Sequence, residues 1–338
     1  MPSKKGVLLV NLGTPLSPKP KDVYKYLIEF LTDGRVVDIP WLTRQFLVRG
    51  LIVPRRYKNS AASYKEIWTD EGSPLMVYSM KSKDLLQKSL GDDFHIELAM
   101  RYQQPSIKDA LKKLEAANLK QLVVLPLFPQ YASATTGSVH QEVMRHLGKW
   151  NAIPTTKFIG SFYNEPLVIK AFAENALKYN LNDYDHFLFS FHGLPERQLN
   201  KADKNKHCLK AKSCCKELCR VNRGCYSAQC HHTARLIQEQ LGLSDEKVSL
   251  CFQSRLGSEP WLQPYAVDEL KKLATEGKKN VLVFSPAFVA DCLETIYEVS
   301  VEYNQEFKHL GGHKLDLVEG LNVNPTWIKA MQEIIVSS

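Results

Sequence analysis

Apolar and polar positions along the chain alternate between two patterns. Short uninterrupted apolar runs, Val7–Val10, Leu122–Leu125 and Val281–Phe284, are bounded by polar or turn residues. Runs this short and this apolar read as strands buried on both faces of a parallel sheet. Ile96–Arg101, Asp185–His192 and Val248–Arg255 read as further strands, each delivering a polar residue at its end. Between them, Lys21–Leu31 and other stretches carry apolar residues at helical spacing, and Pro15, Pro18 and Pro20 mark an early loop.

The pattern repeats within the chain. Asp109-Ala-Leu-Lys-Lys-Leu114 resembles Asp268-Glu-Leu-Lys-Lys-Leu273 at an offset of 159 residues, and Leu122–Leu125 falls on Val281–Phe284 at the same offset. A strand ending in arginine, Arg101 or Arg255, precedes each of these helices. The expectation is an α/β protein of two similar Rossmann-like halves, each a four-stranded parallel sheet flanked by helices, with a cleft between their strand ends. The expected boundaries are 1–160, 161–320 with an insert at 203–230, and a C-terminal helix at 321–338 that packs back on the first half.

The stretch after Val281–Phe284 holds the densest candidate chemistry. Asp291, Glu294, Glu298 and Glu302 follow one another at three- and four-residue steps, which stacks four carboxylates on one face of a helix. A solvated acidic face is the bland explanation. Against it, like charges at this spacing repel by roughly 0.2–0.5 kcal/mol per pair, and no lysine or arginine lies between Phe284 and Lys308 to offset them. Such a ladder suits proton uptake or the handling of a hard cation. The strand at 185–192 ends in His192, followed by Gly193-Leu-Pro195. A histidine inside a strand is usually a core residue, but one at a strand tip before a turn is placed for function.

Trp41–Arg56 is apolar and basic together: Leu42, Phe46, Leu47 and Leu51 are interleaved with or followed by Arg44, Arg49, Arg55 and Arg56. It reads either as a core helix with a charged edge or as a lip that rests on a membrane surface or receives an apolar, anionic ligand.

Composition narrows the classes. Of the 338 residues, 44% are hydrophobic and 24% charged, as in ordinary globular proteins. No run reaches membrane-spanning length, and the N-terminus lacks a signal-peptide core, so a cytoplasmic protein is expected. The net charge of +8 is mostly local, since Lys201–Arg223 carries six lysines and two arginines against Asp203 and Glu217. A nucleic-acid partner is therefore not implied. GxGxxG, Walker, serine-elbow and zincin motifs are missing. Six of the eight cysteines lie within 23 residues, Cys208–Cys230, which in a reducing compartment reads as a metal or cluster site before it reads as disulfides.

A cleft holding His192 and Glu294, lined by Phe128, Tyr131, Trp261, Phe288 and Tyr297 and flanked by Arg101 and Arg255, would suit a flat apolar ligand with peripheral carboxylates. Here a resemblance becomes specific. Asn11-Leu-Gly-Thr-Pro15, Gly72-Ser-Pro-Leu-Met76, Leu125-Pro-Leu-Phe-Pro-Gln-Tyr131, Ser190-Phe-His-Gly-Leu-Pro195, Phe252-Gln-Ser-Arg255, Pro260-Trp-Leu262 and Asp291-Cys-Leu-Glu-Thr295 together resemble the ferrochelatases, bacterial type, over nearly the whole chain. The resemblance implies a lyase that inserts Fe2+ into protoporphyrin IX to give protoheme, the last step of heme biosynthesis, with two protons released. Coproporphyrin III or another tetrapyrrole is the alternative substrate, and a non-catalytic porphyrin carrier is a third reading.

The resemblance makes His192 and Glu294 the catalytic pair and the site of the substrate iron. Asp291, Glu298 and Glu302 become a relay for protons or metal. Arg101, Tyr102, Phe128, Tyr131, Trp261, Phe288 and Tyr297 become porphyrin contacts, and 41–56 the lip by which porphyrin could enter from the inner face of a membrane. The expected assembly is a monomer or homodimer. The insert departs from simple bacterial members, in which only a cysteine matching Cys230 is common. A [2Fe-2S] cluster held by Cys208, Cys215, Cys219 and Cys225, with Cys214 as alternate, is the preferred cofactor, and a zinc site to which His207 could contribute is the alternative.

Overall fold

The computed structural model describes residues 4–211 and 213–338. The chain divides into two compact units. The first takes in the chain up to Phe128, Ala132–Ser161 and Ile328–Ser338; the second comprises Pro129–Tyr131 and Phe162–Trp327.

The first unit is built on β1 (Lys5–Gly13), β2 (Phe94–Tyr102), β3 (Gln121–Pro126) and β4 (Thr155–Phe158), in the order β2-β1-β3-β4 and parallel throughout. The second repeats that plan with β5 (His186–His192), β6 (Val248–Gln253), β7 (Asn280–Phe284) and β8 (Lys314–Leu317), in the order β6-β5-β7-β8. The apolar runs are continuous because helices cover both faces. In β1, Leu8 and Val10 share a face with Ala99, Leu122 and Val124, and pack on Ile107, Leu111 and Leu114 of helix Ile107–Ala116. In β5, Leu188 lies with Cys251, Val281 and Val283 against Leu270 and Leu273 of helix Ala266–Thr275.

The repeat extends beyond the two similar hexapeptides. Helix Ile107–Ala116 and helix Ala266–Thr275 are the same length at an offset of 159 residues, and β4 and β8 stand at that offset too. These two edge strands escape the hydrophobic pattern because each is only four residues long and mixes polar with apolar residues; in β4 Thr155 and Lys157 are exposed, and in β8 Leu315 alone is fully buried.

The carboxylate-bearing segment differs from expectation. It is not an α-helix from Asp291 onward but a π-helix, Leu293–Tyr303. Its Val299 and Tyr303 pack into the second unit's core, and the helix continues as α-helix through Asn304–His309. Asp291 therefore precedes the helix, and only Glu294, Glu298 and Glu302 ride on it.

The switch point of an open α/β sheet, where successive connections diverge, leaves a crevice outside the strands' carboxyl ends. In the second unit it lies between β5 and β7, so His192 at the end of β5 and the segment after Phe284 border it.

Leu188 is fully buried in the central strand of the second unit. Leu188→Ala should cost about 2–5 kcal/mol through lost burial and the cavity left behind. Urea unfolding should show a lowered midpoint with little change in slope.

Candidate functional site

The second unit gathers most of the candidate residues. His192 is partly exposed at the tip of β5. Its Nδ1 lies 2.7 Å from the Gly193 carbonyl oxygen. A carbonyl only accepts, so Nδ1–H donates and Nε2 carries the free lone pair. The imidazole faces the rings of Trp261 and Phe288, each at a centroid distance of 6.5 Å. Trp261 is buried, and its Nε1–H has no hydrogen-bond partner among the described residues. Gly193 is required here: a Cβ would stand 2.8 Å from the Gln253 carbonyl oxygen and 3.2 Å from the Trp261 ring.

One side chain ties the strand tips to the carboxylates. The Gln253 carboxamide, at the end of β6, accepts from Ser190 Oγ at 2.8 Å. Its Nε2 donates to the Glu294 carbonyl and to Glu298 Oε2, each at 3.0 Å. Glu298 also accepts from Ser254 Oγ at 2.6 Å and from Tyr303 OH at 2.8 Å. Burial, reinforced by the Glu298 charge, pushes the Tyr303 phenol well upward, so it remains a donor. Glu298 is thus held by three donors, and Glu294 is positioned through its backbone with its side chain half-buried. Glu302 lies further along the helix and is exposed.

Asp291 does not join this row. It is 7% exposed and accepts from Asn322 Nδ2 at 2.7 Å, Thr295 Oγ1 at 3.0 Å and the Gly320 amide at 3.1 Å. Burial pushes its carboxyl upward against these donors. All of its contacts are structural: it fastens the start of the π-helix to the loop after β8. Asp291 thus sits before the helix that carries Glu294, Glu298 and Glu302, enclosed where they are half-buried or exposed.

Tyr131 belongs to the second unit and is half-buried, its amide donating to Gln229 Oε1 at 2.8 Å. Tyr297 is half-buried on the π-helix, and Arg255 is exposed with its guanidinium over the Tyr265 ring at 4.5 Å.

In the first unit, Arg101 stands at the end of β2 with Asp33, a partner the sequence reading missed. Arg101 Nη2 is 2.7 Å from Asp33 Oδ2, and its Nε donates to Ser138 Oγ at 2.7 Å. Tyr102 is fully buried and its OH donates to the same Asp33 oxygen at 2.9 Å. Tyr102 therefore supports Arg101 from beneath and is not a ligand contact itself. Burial opposes ionisation of Asp33, but the Arg35 amide, the Ser138 hydroxyl and Arg101 outweigh it and hold the carboxyl below its ordinary value. Phe128 packs half-buried against the core. The apolar residues of 41–56 face outward: Trp41, Leu42 and Phe46 are 63%, 74% and 81% exposed, while Val48 and Val53 anchor the segment. The core-helix reading of this segment is thereby corrected.

The insert brings four sulfurs together. Cys208 and Cys225 are buried, and Cys225 lies near enough to Cys215 and Cys208 for each to act on its thiol. Cys214 Sγ is 3.6 Å from Cys215 Sγ. The Cys225 thiol is drawn downward, first by Cys215, while burial pushes Cys208 upward and Cys225, together with burial, pushes Cys215 upward. Cys219, the expected fourth member, is exposed, and Cys214 stands in the group instead. His207 is held through its amide by Asp203. Among the described residues, no three His, Cys, Asp or Glu side chains already surround a metal position. The donor set of four soft sulfurs, two of them buried, with Lys210, Lys216 and Arg223 exposed nearby in the sequence, fits a thiolate-bound group.

Residues 4–338 match the family model described as Ferrochelatase. A protein named Ferrochelatase from Coxiella burnetii (strain CbuK_Q154) is 42% identical over 338 residues, covering 99% of this chain and 94% of that protein. One of the same name from Legionella pneumophila (strain Philadelphia 1) is 42% identical over 332 residues, covering 98% of each. Among solved structures, SirB from Bacillus subtilis with Fe3+ shares the fold with a TM-score of 0.55 at 12% identity, covering 99% of this chain and 95% of that one.

Asp33 yields a pH-dependent prediction. Because its folded pKa is depressed below 3.8, it stabilises the fold above that value, and this contribution is lost as pH falls through the folded pKa. Asp33→Asn should therefore be less stable than the parent near neutral pH, with the difference narrowing below about pH 4 in acid-titrated thermal melts.

Proposed function

Since the chain belongs to the ferrochelatase family, and is thus a lyase of heme biosynthesis that inserts Fe2+ into a porphyrin, we propose that His192 and Glu294 carry out the metallation. The observation that carries this reading is the pairing of a strand-tip imidazole, Nδ1 committed and Nε2 free, with a half-buried carboxylate on a helix fixed by Gln253. Insertion must remove two pyrrole protons and replace the hydration shell of Fe2+. A neutral Nε2 accepts a proton or ligates the ion, and Glu294 accepts the other proton. Glu298, held by three donors, and the exposed Glu302 then continue the path to solvent. Trp261 and Phe288, both near the imidazole, supply apolar surface for the macrocycle.

Arg101 is the cation assigned to a porphyrin carboxylate, with Asp33 and Tyr102 setting its direction. Protoporphyrin IX is the assigned substrate, in keeping with the outward apolar side of 41–56, through which the segment would lie on a membrane surface. No helix among the described residues is long and apolar enough to cross a membrane.

For the insert, we assign a [2Fe-2S] cluster to Cys208, Cys214, Cys215 and Cys225, with zinc as the competing occupant. A bound cluster would supply a one-electron centre and a cross-link that closes the insert. The insert itself sets Cys214 beside Cys215 and carries exposed basic side chains, Lys210, Lys216 and Arg223, that would offset the charge of bound thiolates.

Two measurements test these assignments. His192→Ala should abolish Fe2+ insertion, and Glu294→Gln should lower kcat at least tenfold, a loss of about 1.4 kcal/mol or more in transition-state stabilisation. Near-parental turnover in either variant would remove that residue from the chemistry. For the insert, freshly purified protein should carry about two irons and two acid-labile sulfides per chain, with visible bands that bleach on dithionite reduction. One zinc in a colourless protein would make the insert a zinc-stapled loop.

A further inference from the structure

The insert ends against the backbone of the reacting histidine. Helix Tyr226–Leu241 begins directly after Cys225, which occupies the position before its first turn. Tyr226 is buried, and its hydroxyl donates to the His192 carbonyl oxygen at 2.8 Å.

That carbonyl needs a donor for a topological reason. The Gly193 amide donates to the Gln253 carbonyl of β6 at 2.8 Å. In a trans peptide the C=O of His192 points opposite to the N–H of Gly193, hence away from β6 and toward the β7 side. Pairing between β5 and β7 stops at Phe189–Phe284, whereas pairing with β6 continues to His192–Gln253. The last residues of β5 thus extend past the end of β7, where an unpaired carbonyl would carry the cost of an unmet acceptor. Tyr226 supplies the missing donor.

The hydroxyl is enclosed beside Cys230, which lies one helical turn on and is itself fully buried. Burial pushes the phenol well upward and keeps it protonated. The same helical turn holds a second loop: Gln229 Oε1 accepts from the Tyr131 amide at 2.8 Å, and its Nε2 donates to the insert carbonyl of Arg223 at 2.8 Å.

We propose that Tyr226 is a positioning residue for metallation, a strut that transmits the conformation of the cysteine-rich insert to the backbone of His192. This rests on the reading of His192 as the reacting imidazole. The strut fixes where β5 ends, and so where Nε2 stands. Disturbing the sulfur group at Cys225 would then move the first turn of the helix and slacken the strut.

The test uses the full chain as purified. Tyr226→Phe keeps the ring and removes only the hydroxyl. It should lower kcat for Fe2+ insertion into protoporphyrin roughly tenfold, with porphyrin KM within about twofold, because displacement of a reacting group costs rate more than ground-state binding. Hydrogen–deuterium exchange should quicken in the peptide spanning Ser190–Pro195, with peptides from the first unit's sheet unchanged. Cys225→Ser should quicken exchange in the same peptide, and the double variant should be no slower in turnover than the slower single variant, since both act through one contact. Unchanged kcat and exchange in Tyr226→Phe overturn the strut. So does a loss in which KM and melting temperature move together with kcat, which marks a general structural role. Multiplying losses in the double variant overturn the link to the insert. If His192→Ala remains active, the catalytic reading fails, and the exchange result alone then decides whether the strut exists.

Discussion

The Gln253 carboxamide is the contact on which the site in the second unit depends. It has one acceptor and two donor hydrogens, and it uses them on three partners in two elements: Ser190 of β5, and the backbone of Glu294 and the side chain of Glu298 on the π-helix. A parallel sheet aligns strands along their ladders but does not set where a following helix begins. Gln253 does so by fastening the π-helix to the strand ends. The group is buried, so its hydrogen bonds are made in a low-dielectric surrounding where an unmet one is costly. Glu298 and Glu294 are therefore held at fixed positions while their carboxylates retain access to solvent or ligand.

The acidic run divides into two kinds of carboxylate, and burial decides which is which. Asp291 is enclosed and saturated by donors from Asn322, Thr295 and Gly320. It spends its charge on holding the start of the helix. Glu294 and Glu298 are half-buried, and Glu302 is exposed. Neighbouring carboxylates thus have opposed surroundings, one enclosed by the fold and the others open to ligand or solvent. The π-helical winding serves the same division: Val299 and Tyr303 reach the core while the glutamates remain on the other side.

Much of this was legible in the sequence. Apolar runs at Val7–Val10, Leu122–Leu125 and Val281–Phe284 marked central strands because helices cover both of their faces, and the hexapeptide at 109–114 and 268–273 disclosed the internal repeat. His192 and Glu294 were legible as residues following strand ends, and the ferrochelatase resemblance gave them roles. Other features left no such trace. β4 and β8 are short edge strands without an apolar run. Spacing alone does not separate α from π winding, since three- and four-residue steps suit both. Cys214 and Cys219 are equivalent in a spacing argument, and only the folded insert leaves Cys219 exposed while placing Cys214 beside Cys215. Asp33, Gln253 and Asn322 act across long separations in sequence, so no local pattern announces them.

The insert shows how a chain can add a module without rebuilding its site. Cys208–Cys225 occupies the connection between the segment after β5 and the helix Tyr226–Leu241. That helix makes its first-turn contacts with backbone groups, the His192 carbonyl and the Tyr131 amide, and not with reacting side chains. Backbone contacts are indifferent to which side chains the site carries, so the module and the chemistry are separable in composition while they remain mechanically joined. The buried Asn222 strengthens that joint from within the insert: its Nδ2 donates to the carbonyls of Cys214 and Glu217, each at 2.8 Å, and its Oδ1 accepts from the Cys219 amide at 2.7 Å. The insert is thus braced by its own polar network close to the residue before the helix, and the helix's first residue carries the contact to the His192 carbonyl.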